Sequence, residues 1–490
     1  MHELRVAFRE GKESVICISP TGSGKTNMFA DMAKGAAKKN KRVLILVHRI
    51  EILEQTIASL YRLGVICGQI AAGRPMTADS IQVAMVGTLA HRRQLVRRPD
   101  LLIVDEAHHA VSPTWKATLD YWSEVPRSLW SATPERLDGR GLCEVADHMV
   151  LGPTIADLVA DGWLAAPALY RPPHEVSATY HVTRGDFDQK EQEQVMGSKA
   201  IVGDVIEHYR AHLDRLPTVC FCVSVAHAYL MSEQFRAAGY VSAVVEGGMD
   251  KGDRTRAMQG LADGSVHVVT SCEVISEGVD VPVMAGAIML RRTQSLALYL
   301  QQAGRALRPI WPEGFDPAAA TAMERIDAMA RAGKPRAIIL DHAGNYQIHG
   351  HVIADREWSL DALSRKERKE RAPTTTVCPK CYGVWPGIPK RCPACGYEWK
   401  DAPTRVQKPL HVIAGELVEA GLGEEEAGSV AAVYERAMAM QGKERQRELL
   451  KFAFRAADKR AVQELAKLAG YNPRWSDWAW EYRTGKRRGA

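Results

Sequence analysis

Nowhere in the 490 residues do about 18 apolar residues run uninterrupted, and no apolar core follows the charged start Met1-His2-Glu3-Leu4-Arg5. Neither membrane insertion nor secretion is supported, so the cytoplasm is the expected compartment. A disulfide framework is lacking too. Six of the ten cysteines (Cys17, Cys67, Cys143, Cys220, Cys222 and Cys272) lie scattered, mostly in apolar stretches, as reduced core thiols do. Strong overall charge is also missing: the formal net charge is +6, but its distribution is uneven. From Arg365 onwards 25 Lys+Arg face 16 Asp+Glu, whereas the first 364 residues carry 39 against 42. The basic surplus of the C-terminal part serves either a polyanionic partner or a solvated surface. Hydrophobic residues, at 46%, suffice for real cores, and the length accommodates three or four domains.

The densest chemistry lies in Ser14-Val-Ile-Cys-Ile-Ser-Pro-Thr-Gly-Ser-Gly-Lys-Thr26. Its apolar run 15–18 reads as a buried strand that breaks at Pro20 into a loop of Thr21, Gly22, Ser23 and Gly24, after which Lys25 and Thr26 open a helix. That is a phosphate-binding loop. Glycines let the backbone turn so that its N–H groups converge on a phosphate, and the helix start adds a positive dipole end. Lys25 then reaches the β- and γ-phosphates of ATP, and the Thr26 hydroxyl takes Mg²⁺. A bare glycine-rich turn is the competing reading; the preceding strand, the Gly-Lys-Thr ending and the following helix argue against it. Ser19 stands where the general pattern has its first glycine.

Apolar stretches at 42–48, 81–86, 101–104 and 128–131 alternate with helical stretches such as 26–39 and 51–63, which predicts a parallel sheet covered by helices over residues 1–160. The run 101–104 leads into Asp105-Glu-Ala-His108. Two carboxylates at a strand end suit a metal-bound nucleotide: Asp105 can hold Mg²⁺ through water, and Glu106 can take a proton from the water attacking the γ-phosphate.

On these residues the chain resembles the superfamily 2 helicases, in particular the DEAH-type branch with phage helicases, the excision-repair helicase and restriction-enzyme motor subunits. Ser19 to Thr26 matches motif I, His48-Arg49 and the stretch to Thr56 motif Ia, Val86-Gly87-Thr88 motif Ib, Asp105 to His108 motif II, and Ser131-Ala-Thr133 motif III, continued by Pro134-Glu-Arg-Leu-Asp-Gly139. The resemblance implies that His48, Arg49 and Thr88 lie on a nucleic-acid backbone. It also implies an adenine-recognising glutamine upstream of motif I, but the first glutamine here is Gln55. Either adenine is recognised less strictly or a lead-in is missing, and a late start of the chain is the favoured expectation.

A short helix and a crossing between domains are expected at 153–173, and alternation then resumes with strands at 218–223, 241–245, 266–270, 287–290 and 336–340. Val274 to Pro282 resembles motif V, which implies that Gly278 meets the nucleic-acid backbone and Asp280 the nucleotide ribose; Ser224 is expected among the nucleic-acid contacts as well. Cys272 stands where many relatives have a phosphate-binding threonine. Gln301-Gln-Ala-Gly-Arg-Ala-Leu-Arg308 resembles motif VI, and at i, i+4 and i+7 of a helix Gln301, Arg305 and Arg308 share a face. The implied role is catalytic: arginines entering the nucleotide cleft to neutralise charge on the γ-phosphate.

Beyond a linker at 351–376, Cys378-Pro-Lys-Cys381 and Cys392-Pro-Ala-Cys395 offer four thiolates to a tetrahedral Zn²⁺, a closed structural set. Redox use is the alternative, and two such pairs in one small module favour the metal. Lys380, Lys390, Arg391, Tyr382, Trp385, Tyr397 and Trp399 suit either nucleic-acid binding or protein docking. Residues 403–490 read as helical, with Tyr471, Trp475, Trp478 and Tyr482 on one side for packing or base stacking.

The expected architecture is α/β: two tandem RecA-like parallel-sheet domains (1–160 and 161–350), a zinc ribbon (377–402) and a helical accessory region. The expected activity is an ATP-dependent DNA helicase using ATP, Mg²⁺ and Zn²⁺, preferring single-stranded or forked DNA with RNA possible. A translocase on duplex DNA and an ATP-gated clamp or recruiter are the alternatives, and a clamp needs no hydrolytic set.

Overall fold

The computed structural model describes residues 1–136, 138–172, 180–183, 185–272, 284–362, 367, 373–387, 389–399 and 459–468. Strands β1 (Ser14–Ile18), β2 (Val43–Val47), β3 (Gly68–Ile70), β4 (Ile81–Met85), β5 (Leu101–Val104), β6 (Arg127–Ser131) and β7 (His148–Leu151) form one sheet in the order β3-β4-β2-β5-β6-β1-β7. Every pairing in it is parallel. The sequence of β2, Val-Leu-Ile-Leu-Val, explains its central place, because all five residues are buried and only a sheet covered on both faces can bury a continuous apolar run. Val43, Ile45 and Val47 enter one core, with Phe29, Ala30 and Ala33 of the helix Lys25–Ala37; Leu44 and Leu46 enter the other, with Trp115, Leu119 and Trp122. Phe29 meets Trp130 of β6 edge-on, with ring centroids 6.0 Å apart. The helix that opens at the phosphate loop is thereby seated on the sheet.

The short helix Ile155–Ala160, closed by a Thr154/Asp157 capping box, leads into β8 (Pro167–Tyr170) of a second sheet. After the two-residue strands β9 (Val182–Thr183) and β10 (Asp186–Phe187) come β11 (Thr218–Phe221), β12 (Ser242–Val245), β13 (Val268–Ser271), β14 (Gly286–Met289), β15 (Ala337–Asp341), β16 (Thr375–Val377) and β17 (Gly383–Pro386). The second sheet runs β12-β13-β11-β14-β15-β8-β17-β16 and is parallel as far as β8. This is the tandem parallel-sheet architecture expected.

Two findings differ from a plain string of modules. The hairpin β16–β17, whose turn carries Cys378 and Cys381, pairs antiparallel with β8 through Gly383 opposite Tyr170 and Val384 opposite Leu169. Val384 is fully buried in the second core. The hairpin thus covers an edge that would otherwise expose unpaired backbone. Residues 351–362, expected to begin a linker, form a packed strap. Val352 is buried in the second core, Trp358 packs against both the second core and the first, and the Leu360 carbonyl accepts a hydrogen bond from the Cys143 N–H at 3.0 Å.

Met1–Val412 form one compact unit and Ile413–Ala490 another. In the latter the helix Lys459–Leu468 falls within the stretch expected to be helical, and Tyr471, Trp475, Trp478 and Tyr482 lie outside the described residues. Among the described residues no helix is long and apolar enough to cross a membrane.

Candidate active site

The phosphate loop leaves the end of β1 and turns through Gly22 and Gly24, whose φ of 88° and 84° are costly for any residue with a Cβ. Gly24 caps the helix Lys25–Ala37. Lys25 Nζ donates to the loop carbonyls of Ser19 (2.9 Å) and Pro20 (3.2 Å), and the buried Ser19 hydroxyl donates to Ser23 Oγ at 2.7 Å. Burial pushes the Lys25 ammonium below its usual range, a shift opposed by the Glu106 and Asp105 charges and reinforced by Arg308. A phosphate in the loop offers that ammonium a stronger partner than two carbonyls.

Asp105 and Glu106 follow β5, two strand positions from β1 in the sheet order, with β6 between. Glu106 is held at φ 49°, ψ 53°, a left-handed conformation costing a non-glycine residue about 1–2 kcal/mol. Burial and the neighbouring Glu106 charge push the Asp105 carboxyl up to about 6. An under-compensated buried carboxylate of this kind is an oxygen donor that suits Mg²⁺. Burial also works to raise Glu106, but the hydrogen bond and charge of His108, with Lys25 and His48, outweigh it and hold Glu106 ionised.

His108 Nδ1 lies 3.3 Å from Glu106 Oε2 and 3.4 Å from the Ser131 hydroxyl, which donates to the Thr133 carbonyl at 2.7 Å. The Ser131 carbonyl accepts from the Ser19 N–H at 2.9 Å. The end of β6 therefore touches the phosphate loop directly and reaches Glu106 of the acidic pair through His108. His109, not singled out from the sequence, joins the rings of His108 and His48, with centroids 4.2 and 4.6 Å away. Only the chance adjacency to His108 marks it in the chain.

Across from the loop lies the helix Leu296–Ala306, capped by the Ser295 hydroxyl, which accepts from the Leu298 N–H. Gln301 and Arg305 are buried on it. Arg308 departs from the expected helical face, because the helix is capped at Leu307 and Arg308 emerges just beyond. A Cβ on Gly304 would lie 2.9 Å from Thr21 Cβ, and one on Gly22 would lie 3.9 Å from Arg308 Cγ and 3.0 Å from Leu164 Cδ2. The phosphate loop of the first sheet thus meets the arginine helix of the second.

Residues 1–136 match the family model for the type III restriction enzyme res subunit, and residues 203–309 match the helicase conserved C-terminal domain. Both matches, each over less than half of the chain, support the resemblance to the superfamily 2 helicases. The helicase domains and the helicase-named relatives support an ATP-hydrolysing activity for the chain. It is 28% identical over 407 residues to a 51.5 kDa protein of a Lactococcus phage, covering 82% of each chain. A Schizosaccharomyces pombe protein named as a mitochondrial ATP-dependent helicase is 29% identical over 325 residues, 62% of this chain and 52% of that one. The chain spans about half the length of its yeast relatives. A fragment of an HsdR-type subunit of a type I restriction enzyme from Vibrio vulnificus has the same fold, with a TM-score of 0.53 at 19% identity over 69% of this chain and 61% of that one.

Of the residues expected on nucleic acid, His48 and Arg49 lie between β2 and the helix Ile50–Arg62, and Thr88 lies in the short helix Val86–Ala90 after β4; all three are half-buried. Ser224 caps the helix Val225–Ala237, accepting from the His227 N–H at 3.0 Å, so it holds a structural duty as well. Gly278 and Asp280 lie outside the described residues. Buried Cys272 directs its thiol to the Val223 carbonyl at 3.5 Å.

The sulfurs of Cys378, Cys381, Cys392 and Cys395 all lie within 4.8 Å of one another. Two of their separations, Cys378 to Cys395 and Cys381 to Cys392, are 3.6 Å. Ligands about 2.3 Å from a tetrahedral zinc stand about 3.8 Å apart, so the four fit that ion.

Proposed function

We propose that the protein is a DNA helicase that holds ATP between its two sheets and couples each hydrolysis to movement along and unwinding of DNA. The observation that carries the reading is the meeting of Thr21 and Gly22 on the first sheet with Gly304 and Arg308 on the second. Thr21 to Thr26 wrap the phosphates, with Lys25 on the β- and γ-oxygens, and Thr26 and Asp105 hold Mg²⁺, which when bound neutralises phosphate charge. Glu106, kept ionised, takes the proton of the attacking water, and His108 holds its carboxylate in place. Arg305 and Arg308, with Gln301 beside them, neutralise charge on the γ-phosphate from the second sheet, as arginine fingers do. Closing the cleft completes the site, and reopening it resets the grip on the strand.

DNA is favoured over RNA by the restriction-enzyme family description and by similarity to the EcoKI endonuclease subunit of Escherichia coli, 23% identical over 62% of this chain and 32% of that one. Zn²⁺ at the four cysteines serves structure. The test is ATP hydrolysis without nucleic acid and with single-stranded DNA, forked duplex, blunt duplex and single-stranded RNA at two salt concentrations. Stimulation by single-stranded or forked DNA that weakens with salt, together with strand separation, is expected. Preference for blunt duplex without unwinding means a translocase, preference for RNA overturns the substrate, and no stimulation means an ATP-gated clamp.

A further inference from the structure

Lys334, two residues beyond the helix Ala322–Arg331 and its cap, is 1% exposed. A buried ammonium demands partners, and this one has carbonyls: Nζ donates to Met284 O at 2.5 Å and to Arg308 O. No carboxylate pairs with it among the described residues. Met284 enters β14, and Arg308 is the first residue past the cap of the arginine helix. One buried cation therefore ties the chain that leaves this helix to the chain that enters the neighbouring strand.

We infer that Lys334 is the positioning residue for Arg308: it fixes the backbone from which that side chain crosses to the phosphate loop. The inference rests on the proposed role of Arg308 at the nucleotide. Backbone fixation matters here because the chain leaves the helix at this point: the Leu307 carbonyl accepts from the Ala165 N–H at 2.8 Å, and the Arg308 carbonyl is held by Lys334. Burial, and to a smaller extent the Arg308 charge, lowers the Lys334 ammonium to about 7. The same guanidinium charge is felt at Lys25 in the opposite wall.

The experiment is steady-state ATP hydrolysis by the full chain with saturating oligo(dT), comparing Lys334→Met, Arg308→Ala and the double variant, with melting temperatures alongside. Lys334→Met should lower kcat about tenfold or more while KM for ATP moves less than about threefold, part of the about 10³–10⁵ that an arginine of this type supplies. In the Arg308→Ala background the same substitution should change kcat less than about twofold. An unchanged kcat in folded Lys334→Met, or a full multiplicative loss in the double variant, overturns the inference. If Lys334→Met melts below the assay temperature, the same comparison is run below its melting temperature, and Lys334→Gln, which keeps a donor for the carbonyls, should recover part of the lost kcat. A normal kcat in Arg308→Ala alone would instead remove the proposed role of Arg308, so the two failures are told apart.

Discussion

Glu106 carries two burdens at once, a left-handed backbone and a buried negative charge beside a second carboxylate, and both are held by contacts around His108. A residue kept at such a cost invites a substitution that preserves shape and removes charge. Glu106→Gln should leave ATP binding within about threefold and lower kcat about 10²–10⁴-fold, as loss of a general base does. Near-normal turnover, measured with single-stranded DNA present, would remove Glu106 as the base. Lys25→Ala deletes the ammonium that now rests on the Ser19 and Pro20 carbonyls, and loss of a charge-assisted bond of about 1.5–3 kcal/mol should weaken ATP affinity about tenfold to hundredfold. Equilibrium binding with unchanged affinity would reject the phosphate-loop assignment. Both residues were legible in the chain because their chemistry is local: a strand, a turn and a helix start within thirteen residues, or two acids after an apolar run. His109 and Lys334 were not. Their partners stand at His48 and Arg308, and no local pattern announces contacts across 61 or 26 positions.

At the scale of elements, long buried strands such as β2 and β5 declared themselves through continuous apolar runs, whereas β3, β7, β8, β16 and β17 did not. Gly68-Gln-Ile is too short for periodicity, and β8 begins at Pro167, a residue that reads as a break yet is tolerated at the first position of a strand. Overlooking β8 also hid the reason for the ribbon hairpin, which covers its edge. Because β17 pairs with β8, metal loss should be felt beyond the knuckles: Cys378→Ser should release zinc and lower the melting temperature of the motor by about 4 °C or more. A melting curve identical to that of the unaltered chain would mean that the hairpin pairs with β8 without help from the metal. The strap makes a second prediction. A side chain on Gly141 would run into the backbone of Leu360 to Ala362, so Gly141→Val should destabilise by about 1–3 kcal/mol and expose the strap to protease near Trp358. Unchanged stability and unchanged cleavage would show that the strap is dispensable.

For the whole molecule, alternation of strand and helix in two blocks made the two-sheet design readable, but the balance of charge between the sheets appears only once the chain is folded. The second sheet and its strap bury four histidines, His227, His342, His349 and His351, and burial pushes them down to about 4, 3, 4 and 4. In the unfolded chain the same groups titrate near 6.5, so below that pH the unfolded state binds more protons. Their contribution is therefore intact above about pH 6.5 and is lost as pH falls toward 4, roughly 1 kcal/mol for each histidine by pH 5.5. Buried Asp105 and Asp341, whose carboxyls are raised by burial, work in the opposite sense and offset part of the loss. Four histidines and Lys334, itself lowered to about 7, against two carboxyls leave a net destabilisation concentrated in the second sheet. The melting temperature should fall between pH 7.5 and 5.5 at constant ionic strength, and hydrogen exchange at pH 5.5 should quicken in β11 to β15 before β1 to β7. His342→Gln should flatten the slope, since the most depressed of the four is then removed. A melting temperature that does not move, or exchange that begins in the first sheet, would show that acid acts on the motor through other groups.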